Sequence, residues 1–286
     1  MFRARHDIHR FLHGDARVVV VTVAEARGSA PREEGAWMLV SPSGIFRTIG
    51  GGQLEYLAID HARTMIRTGA EDETLSVPLG PEIGQCCGGH VSLHLQALDQ
   101  ERRSALVRQV DAELAGLIDV YIFGAGHVGR ALAEALSLLP LRPVLVDTRA
   151  GELETAPDGV ETCLTAVPEA VVRDAAAGSA FVILTHEHSQ DFLIAGEALA
   201  RGDAAYVGMI GSRSKRASFM AWLRRQANSP VAADALVCPI GAAGLGDKRP
   251  EVIASFVAAE IMSALAAKTR ALVHAEAVAE ETPGQT

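Results

Sequence analysis

Val120-Tyr-Ile-Phe-Gly124-Ala-Gly126-His127-Val-Gly129 carries the clearest structural instruction in this 286-residue chain. A β-branched and aromatic run ends on three glycines at G-x-G-x-x-G spacing, and residues 128–139 then read as a helix. The first glycine suits a tight turn, the second a close backbone approach to a phosphate, and the third close helix packing. Exposed amides at the helix start favour an anion. Asp147 closes the next apolar run, about 20 residues further on, where a ribose-binding acid falls in such folds; a strand-end cap is the competing reading. Residues 119–123, 143–146, 180–185 and 205–209 read as strands and alternate with helical stretches at 128–139, 192–201 and 213–226. This alternation predicts a parallel sheet with covering helices, a Rossmann-like doubly wound domain over 117–272. Pro250 opens a last long helix, with Ile253, Phe256, Val257, Glu260 and Ile261 at helical spacing and Glu260 as its polar exception. A flexible tail is expected at 273–286.

The preceding segment differs in style. Residues 1–98 read as a small mixed α+β domain: a short helix at 2–13, strands at 17–25 and 37–40, a turn at Ser41-Pro42-Ser43-Gly44 and a returning arm at 45–48. Gly50-Gly51-Gly52 leads into a helix over 53–68 that Gly69 stops, and residues 91–97 alternate as a half-buried strand. A charged, helix-permissive stretch at 99–116 is expected to link the two domains. The overall class is therefore α/β.

Hydrophobic residues make up 49% and charged residues 21%, which excludes global disorder. Lys+Arg 26 against Asp+Glu 35 gives −9, so no broad positive face is available for nucleic acid, and 5% aromatics offers few base-stacking platforms. The densest apolar run, at 18–26, is about half the length of a membrane span. The start of the chain has no apolar signal core, and a cytoplasmic protein without a membrane segment is expected. Cys86, Cys87, Cys163 and Cys238 are then expected to be reduced. The α-carbons of Cys86 and Cys87 lie about 3.8 Å apart, too close for an unstrained disulfide.

Four further motifs carry chemistry. In Gly84-Gln-Cys86-Cys87-Gly88-Gly89-His90, paired thiols between glycines could bind a soft metal or carry sulfur as a persulfide, or form a tight turn with an inert inward thiol. In Gly28-Ser-Ala-Pro-Arg32-Glu33, and in Ile49-Gly50-Gly51-Gly52-Gln53-Leu-Glu55, glycine-rich backbone lies beside a strand end or a helix start. Arg32 there suits either an anion or an ordinary salt bridge. Thr185-His186-Glu-His188-Ser-Gln-Asp191 follows a strand, where parallel sheets bind ligands; a metal set and a polar crevice wall are both open. Gly208-Met-Ile-Gly211-Ser-Arg213-Ser-Lys215-Arg216 puts cations at a helix start, which opposes the helix dipole unless an anion sits there; a solvated face is the other reading.

Taken in this order over about residues 18–267, the motifs resemble the XdhC/CoxI family of xanthine dehydrogenase accessory proteins. The resemblance rests on Gly28-Ser-Ala-Pro-Arg32, Gly50-Gly-Gly-Gln-Leu-Glu55, Gly84-Gln-Cys-Cys-Gly-Gly89, Phe123-Gly-Ala-Gly-His-Val-Gly129, Asp147-x-Arg149, Thr185-His186 with Asp191, Tyr206-Val-Gly-Met-Ile-Gly-Ser-Arg213, Pro239-Ile-Gly241 and Lys248-Arg-Pro250. Many CoxI-like relatives carry a cysteine where this chain has Gln53, so it looks closer to the xanthine dehydrogenase branch. The resemblance implies a chaperone rather than a turnover enzyme, with no catalytic residues. It would bind the molybdenum cofactor, a phosphate-bearing pterin dithiolene (molybdopterin), while a cysteine desulfurase supplies sulfur, and insert it into apo xanthine dehydrogenase. The implied cofactor-binding set is Cys86 and Cys87, which would also contact molybdenum, with Gly88, Gly89, Arg32, Gly51, Gly52 and Gln53 in the first domain. In the second it is Gly124, Gly126, His127, Gly129, Asp147, His186 and Arg213. A homodimer is also expected. The alternatives are an NAD(P)-dependent oxidoreductase using the glycine loop, Asp147 and His186 as proton donor, and a docking scaffold with no ligand. The bulky His127 beside the pyrophosphate position argues against dinucleotide use.

Overall fold

The computed structural model describes residues 2–14, 17–80, 88–226, 233–241 and 246–280. The chain divides into two compact units, Phe2–Ala115 and Gly116–Thr286.

In the amino-terminal unit, β1 (Val19–Arg27) is the middle of a five-stranded sheet. It pairs antiparallel with β2 (Trp37–Val40) and β5 (His90–Ala97). The short β3 (Ile45–Phe46) and β4 (Asp72–Pro78) form the two edges. Val19, Val21 and Val23 alternate onto one face, where α2 (Gly52–Thr68) covers them with Leu54, Ala58, Ala62 and Met65. Val18, Trp37 and Leu39 face the other way, against Ile8 and Leu12 of α1 (Phe2–Gly14) and Leu106 and Val110 of α3 (Gln100–Ala115). The stretch expected as a linker is thus a packed helix of the first unit, because Leu106 and Val110 have an apolar surface to bury. Strand β4 escapes sequence reading because Asp72-Glu-Thr-Leu-Ser-Val77 is mostly polar, as an exposed edge requires, with Val77 its one buried residue.

The carboxy-terminal unit holds a six-stranded parallel sheet in the order β8-β7-β6-β9-β10-β11, running through Glu161–Leu164, Leu141–Asp147, Ile118–Phe123, Ala180–Ile183, Tyr206–Met209 and Leu236–Val237. Counted from β6, this is the 3-2-1-4-5-6 order of a doubly wound fold, with its switch point between β6 and β9. Helices α4 (His127–Ser137) and α9 (Pro250–Glu280) bury one face of the sheet. On the other lie α6 (Pro168–Asp174), α7 (His188–Ala200) and α8 (Arg213–Arg225); a single short turn, α5 (Ala150–Leu153), follows β7.

Helix α9 corrects two expectations. It continues to Glu280, past the point where a tail was expected to begin. Its Pro250–Lys268 segment, at mean hydropathy 1.5, is long and apolar enough to cross a membrane, which the run at 18–26 is not. Ala254, Val257, Ala258, Ile261 and Leu265 nevertheless pack into the core of the sheet. Glu260, the polar exception on this stripe, accepts a hydrogen bond from the Tyr206 hydroxyl at 2.9 Å. Burial, reinforced by the Glu260 charge, pushes that hydroxyl's pKa far up and keeps it a donor.

Candidate functional site

Three glycine motifs far apart in the sequence meet in the amino-terminal unit. β1 ends at Arg27, and Gly28 turns the chain with φ +71°. Ser29 then forms an isolated parallel bridge with Gly88. A Cβ on Gly89 would lie 2.4 Å from the Ser29 carbonyl oxygen and 2.7 Å from that of Arg27, so these backbones close only around glycine. Leu79 holds the same segment: its amide donates to Gly89 at 2.8 Å and its carbonyl accepts from Gly88 at 2.9 Å. Cys86 and Cys87 immediately precede Gly88 in sequence and lie outside the described residues.

The Gly50 turn packs onto the same loop, since a Cβ on Gly50 would approach Pro31 Cβ to 2.4 Å and Arg32 Cγ to 3.2 Å. Glu55, in the first turn of α2, reaches back to accept from the amides of Ile49 and Gly51, both at 3.1 Å, and from the Thr48 hydroxyl. Sequence reading missed this carboxylate staple, whose signal is an acid in the first turn of a helix. Gly51 begins α2 without a side-chain cap. Gly51 and Gly88 have φ of +74° and +64°, with nothing within 4 Å of where a Cβ would sit. Their backbone is therefore open to close approach, and Gly52 and Gln53 beside them are exposed. Arg32 takes the ordinary salt bridge, to Glu33 at 3.2 Å, with its side chain 40% exposed.

The glycines of the carboxy-terminal loop divide by role. A Cβ on Gly124 would lie 2.4 Å from the Leu184 carbonyl oxygen, and one on Gly129 only 1.9 Å from that of Gly124. Both serve packing. Gly126, at the N-cap of α4, has open space around it and no side-chain cap. His127 sets its Nδ1 against an Arg130 guanidinium nitrogen at 2.9 Å, and Arg130 also donates to the Ala125 carbonyl and to Glu152.

The ribose-binding expectation for Asp147 is corrected here. Its Oδ2 accepts the Ala125 amide at 2.7 Å and Arg149 Nη2 at 3.0 Å, and its Oδ1 accepts the Arg149 amide and Nε, each at 3.0 Å. A carboxylate offers about four acceptor positions, and the protein fills them. Asp147 is a clasp that shuts the glycine loop onto β7. Burial alone would raise its pKa, but the Arg149 guanidinium and the two amides outweigh burial and hold it below the usual carboxylate range. A depressed folded-state value contributes stability above the unfolded pKa, about 4, and loses it as pH falls through the folded value. We therefore expect urea midpoints of the wild type to drop between pH 5 and pH 2. Asp147→Asn should be weaker at pH 7 and lack this part of the acid loss. An equally steep acid limb in the variant would contradict the clasp.

The Thr185-to-Asp191 motif is built as a wall. Asp191 is fully buried and accepts from the Thr185 amide at 3.0 Å, the Thr185 hydroxyl at 2.7 Å and the Lys215 ammonium. Lys215 donates also to the Ile210 carbonyl at 2.8 Å. The anion demanded by the basic start of α8 is thus internal for Lys215, while Arg213 stays exposed and Ser212 caps the helix by accepting the Lys215 amide. His186 is exposed beside Glu187 at 3.4 Å. Among the described residues, no group of three His, Cys, Asp or Glu side chains is arranged to hold a metal ion. Burial raises the pKa of the Cys163 and Cys238 thiols, which keeps both protonated and inert.

Two cavities differ in scale. At the switch point, Gly124, Asp147, Thr148, Pro168, His186 and Gln190 line a crevice of about 10 Å³, room for roughly one water. In the amino-terminal unit, Arg32, Glu34, Trp37, Arg47, Gln109 and Glu113 help to line a cavity of about 500 Å³.

These features define a two-unit α/β protein: a mixed α+β unit with converging glycine loops, followed by a Rossmann-type unit with a clasped loop. Residues 120–261 match the XdhC Rossmann domain, and residues 12–77 match the XdhC and CoxI family, together more than two thirds of the chain. The chain belongs to the XdhC and CoxI family. It is 26% identical to the uncharacterized protein YqeB of Escherichia coli strain K12, over 84% of this chain, and spans 42% of that relative's length. A crystal structure from Bacillus halodurans described as a xanthine dehydrogenase shares the fold, with a TM-score of 0.77 at 20% identity, over 92% of this chain and 96% of that one.

Proposed function

We propose that this chain is a maturation chaperone that carries the molybdenum cofactor as cargo, keeps it during sulfuration by a cysteine desulfurase, and inserts it into apo xanthine dehydrogenase. The observation that carries this reading is the Ser29–Gly88 bridge, which ties the glycine loops at 28–32 and 50–52 to the segment directly after Cys86 and Cys87. The donor set suits the cargo. Thiolates are soft ligands matched to molybdenum and able to carry sulfur, and the exposed first-turn backbone of α2 at Gly52 and Gln53 suits a phosphate. When bound, the cargo supplies the metal centre; this chain supplies sulfur donors, open backbone and shelter. Gly126 and Arg213 offer a second phosphate-binding edge in the other unit. Partnership with both enzymes, and a homodimeric assembly, belong to the same proposal.

An NAD(P)-dependent oxidoreductase is disfavoured by two observations: Asp147 has no acceptor position left for ribose, and the switch-point crevice is about 10 Å³.

The test is molybdenum analysis and pterin fluorescence on protein purified anaerobically from cofactor-producing cells, with activity of co-expressed xanthine dehydrogenase as a second readout. The wild type should retain molybdenum, and Cys86→Ala combined with Cys87→Ala should lose most of it along with activation. Full activation by the double variant would instead favour a docking scaffold without a ligand.

A further inference from the structure

We infer that the 500 Å³ cavity of the amino-terminal unit is a subsite for a planar ring with a 2-amino-oxopyrimidine edge, the edge shared by pterins and guanine. This deepens the cargo reading above and rests on it. The floor is Trp37, 6% exposed at the start of β2, with the Arg47 guanidinium 4.0 Å above its ring centroid. Arg47 is the only non-glycine residue with positive φ among the described residues, at +63°. Such a backbone is costly for a side-chain-bearing residue and is kept where the surroundings over-determine it. Here Trp37 holds the guanidinium from below, and Glu113 Oε2 accepts from it at 2.8 Å.

The charges select the class of ligand. The wall carries Arg32 and Arg47 against Glu33, Glu34 and Glu113, an acidic balance that opposes an isolated phosphate. It suits a neutral ring with adjacent N–H donors. Glu113 takes one bond from Arg47 and one from the Gln109 amide at 3.2 Å, so two of its roughly four acceptor positions remain. Those match the ring N–H and exocyclic amine, while unused Arg47 N–H groups match the ring oxygen. The volume falls within the range of small-ligand pockets. Arg32 joins this cavity to the converging loops, since its Cγ lies against Gly50 while its side chain lines the wall. A ring seated here would run its substituent toward the glycine loops.

The experiment is calorimetric titration of the full chain with 6-hydroxymethylpterin, guanosine monophosphate and adenosine monophosphate. Trp37 emission, read in a Trp222→Phe background, reports the same site. We expect binding of the pterin or the guanine nucleotide with Trp37 quenching and no adenine binding; which of the two binds identifies the source of the ring. Glu113→Gln and Arg47→Lys should each weaken that binding about tenfold or more with an unchanged melting temperature. Equal binding of the adenine nucleotide, binding of neither ring, or a Glu113→Gln variant that binds like the wild type would overturn the subsite. The discrimination among the three ligands needs no variant, so a folding defect cannot mask it. If the subsite fails while the purified wild type still carries molybdenum, the chaperone reading stands without it.

Discussion

Gly129→Ala should unfold the carboxy-terminal unit well before the wild type. The new Cβ would sit 1.9 Å from the Gly124 carbonyl oxygen and 3.1 Å from the Gly124 carbonyl carbon and Leu184 Cδ1. The obstructing atoms are backbone, so relief requires α4 to lift from β6. Overpacking of this kind costs about 3 kcal/mol or more, roughly 10 °C of melting temperature for a unit of this size. Gly126→Ala is the matched control. Gly126 has φ −67° and nothing within 4 Å of a Cβ, so its loss should stay within about 1 kcal/mol. Scanning calorimetry of the two variants separates a glycine needed for packing from one that keeps the loop open. Equal melting of Gly129→Ala and wild type would mean that α4 does not lie against the loop as described.

Asp191→Ala should be comparably damaging for an electrostatic reason. Asp191 is fully buried, and the Lys215 side chain bonded to it is 10% exposed. Removing the carboxylate strands a buried ammonium and leaves the Thr185 amide without its acceptor, while the Thr185 hydroxyl keeps the Glu187 carbonyl at 3.0 Å. Stranded buried charges cost about 3–5 kcal/mol. The second variant tests the cause: Asp191→Leu with Lys215→Met removes both charges and should recover much of the loss, as read from urea unfolding midpoints. If the double variant is no better than Asp191→Ala, the cost lies in the Thr185 turn and not in the ion pair.

The fold was largely legible because its signals are local. The G-x-G-x-x-G run marked β6 and α4, apolar runs marked β7, β9 and β10, and Gly69 marked the end of α2, where it takes φ +83° and donates to the Met65 carbonyl. The strands that sequence reading passed over are β4, β8 and β11. They are edges, and β4 and β8 are largely polar and exposed, as edges need to be. The packing of α3 was hidden because only Leu106 and Val110 are buried in a mostly polar helix, with Val107 and Leu114 packed beside them.

The site was legible by residue type and much less by role. Glycine-rich motifs announced themselves, since few other residues tolerate such backbone, and their family follows from their order along the chain. Sequence spacing aimed Asp147 at a ribose, left Asp191 open between a metal set and a crevice wall, and left Lys215 open between an outside anion and a solvated face. Folding turned all three inward, onto Ala125 with Arg149, onto Thr185, and onto each other. Backbone conformation is written in single residues and their nearest neighbours. A carboxylate's partner is whichever donor the packed chain delivers to it: Arg149 and Thr185 are sequence neighbours of Asp147 and Asp191, whereas the Ala125 amide and the Lys215 ammonium lie 22 and 24 residues away and reach them only in the assembled sheet.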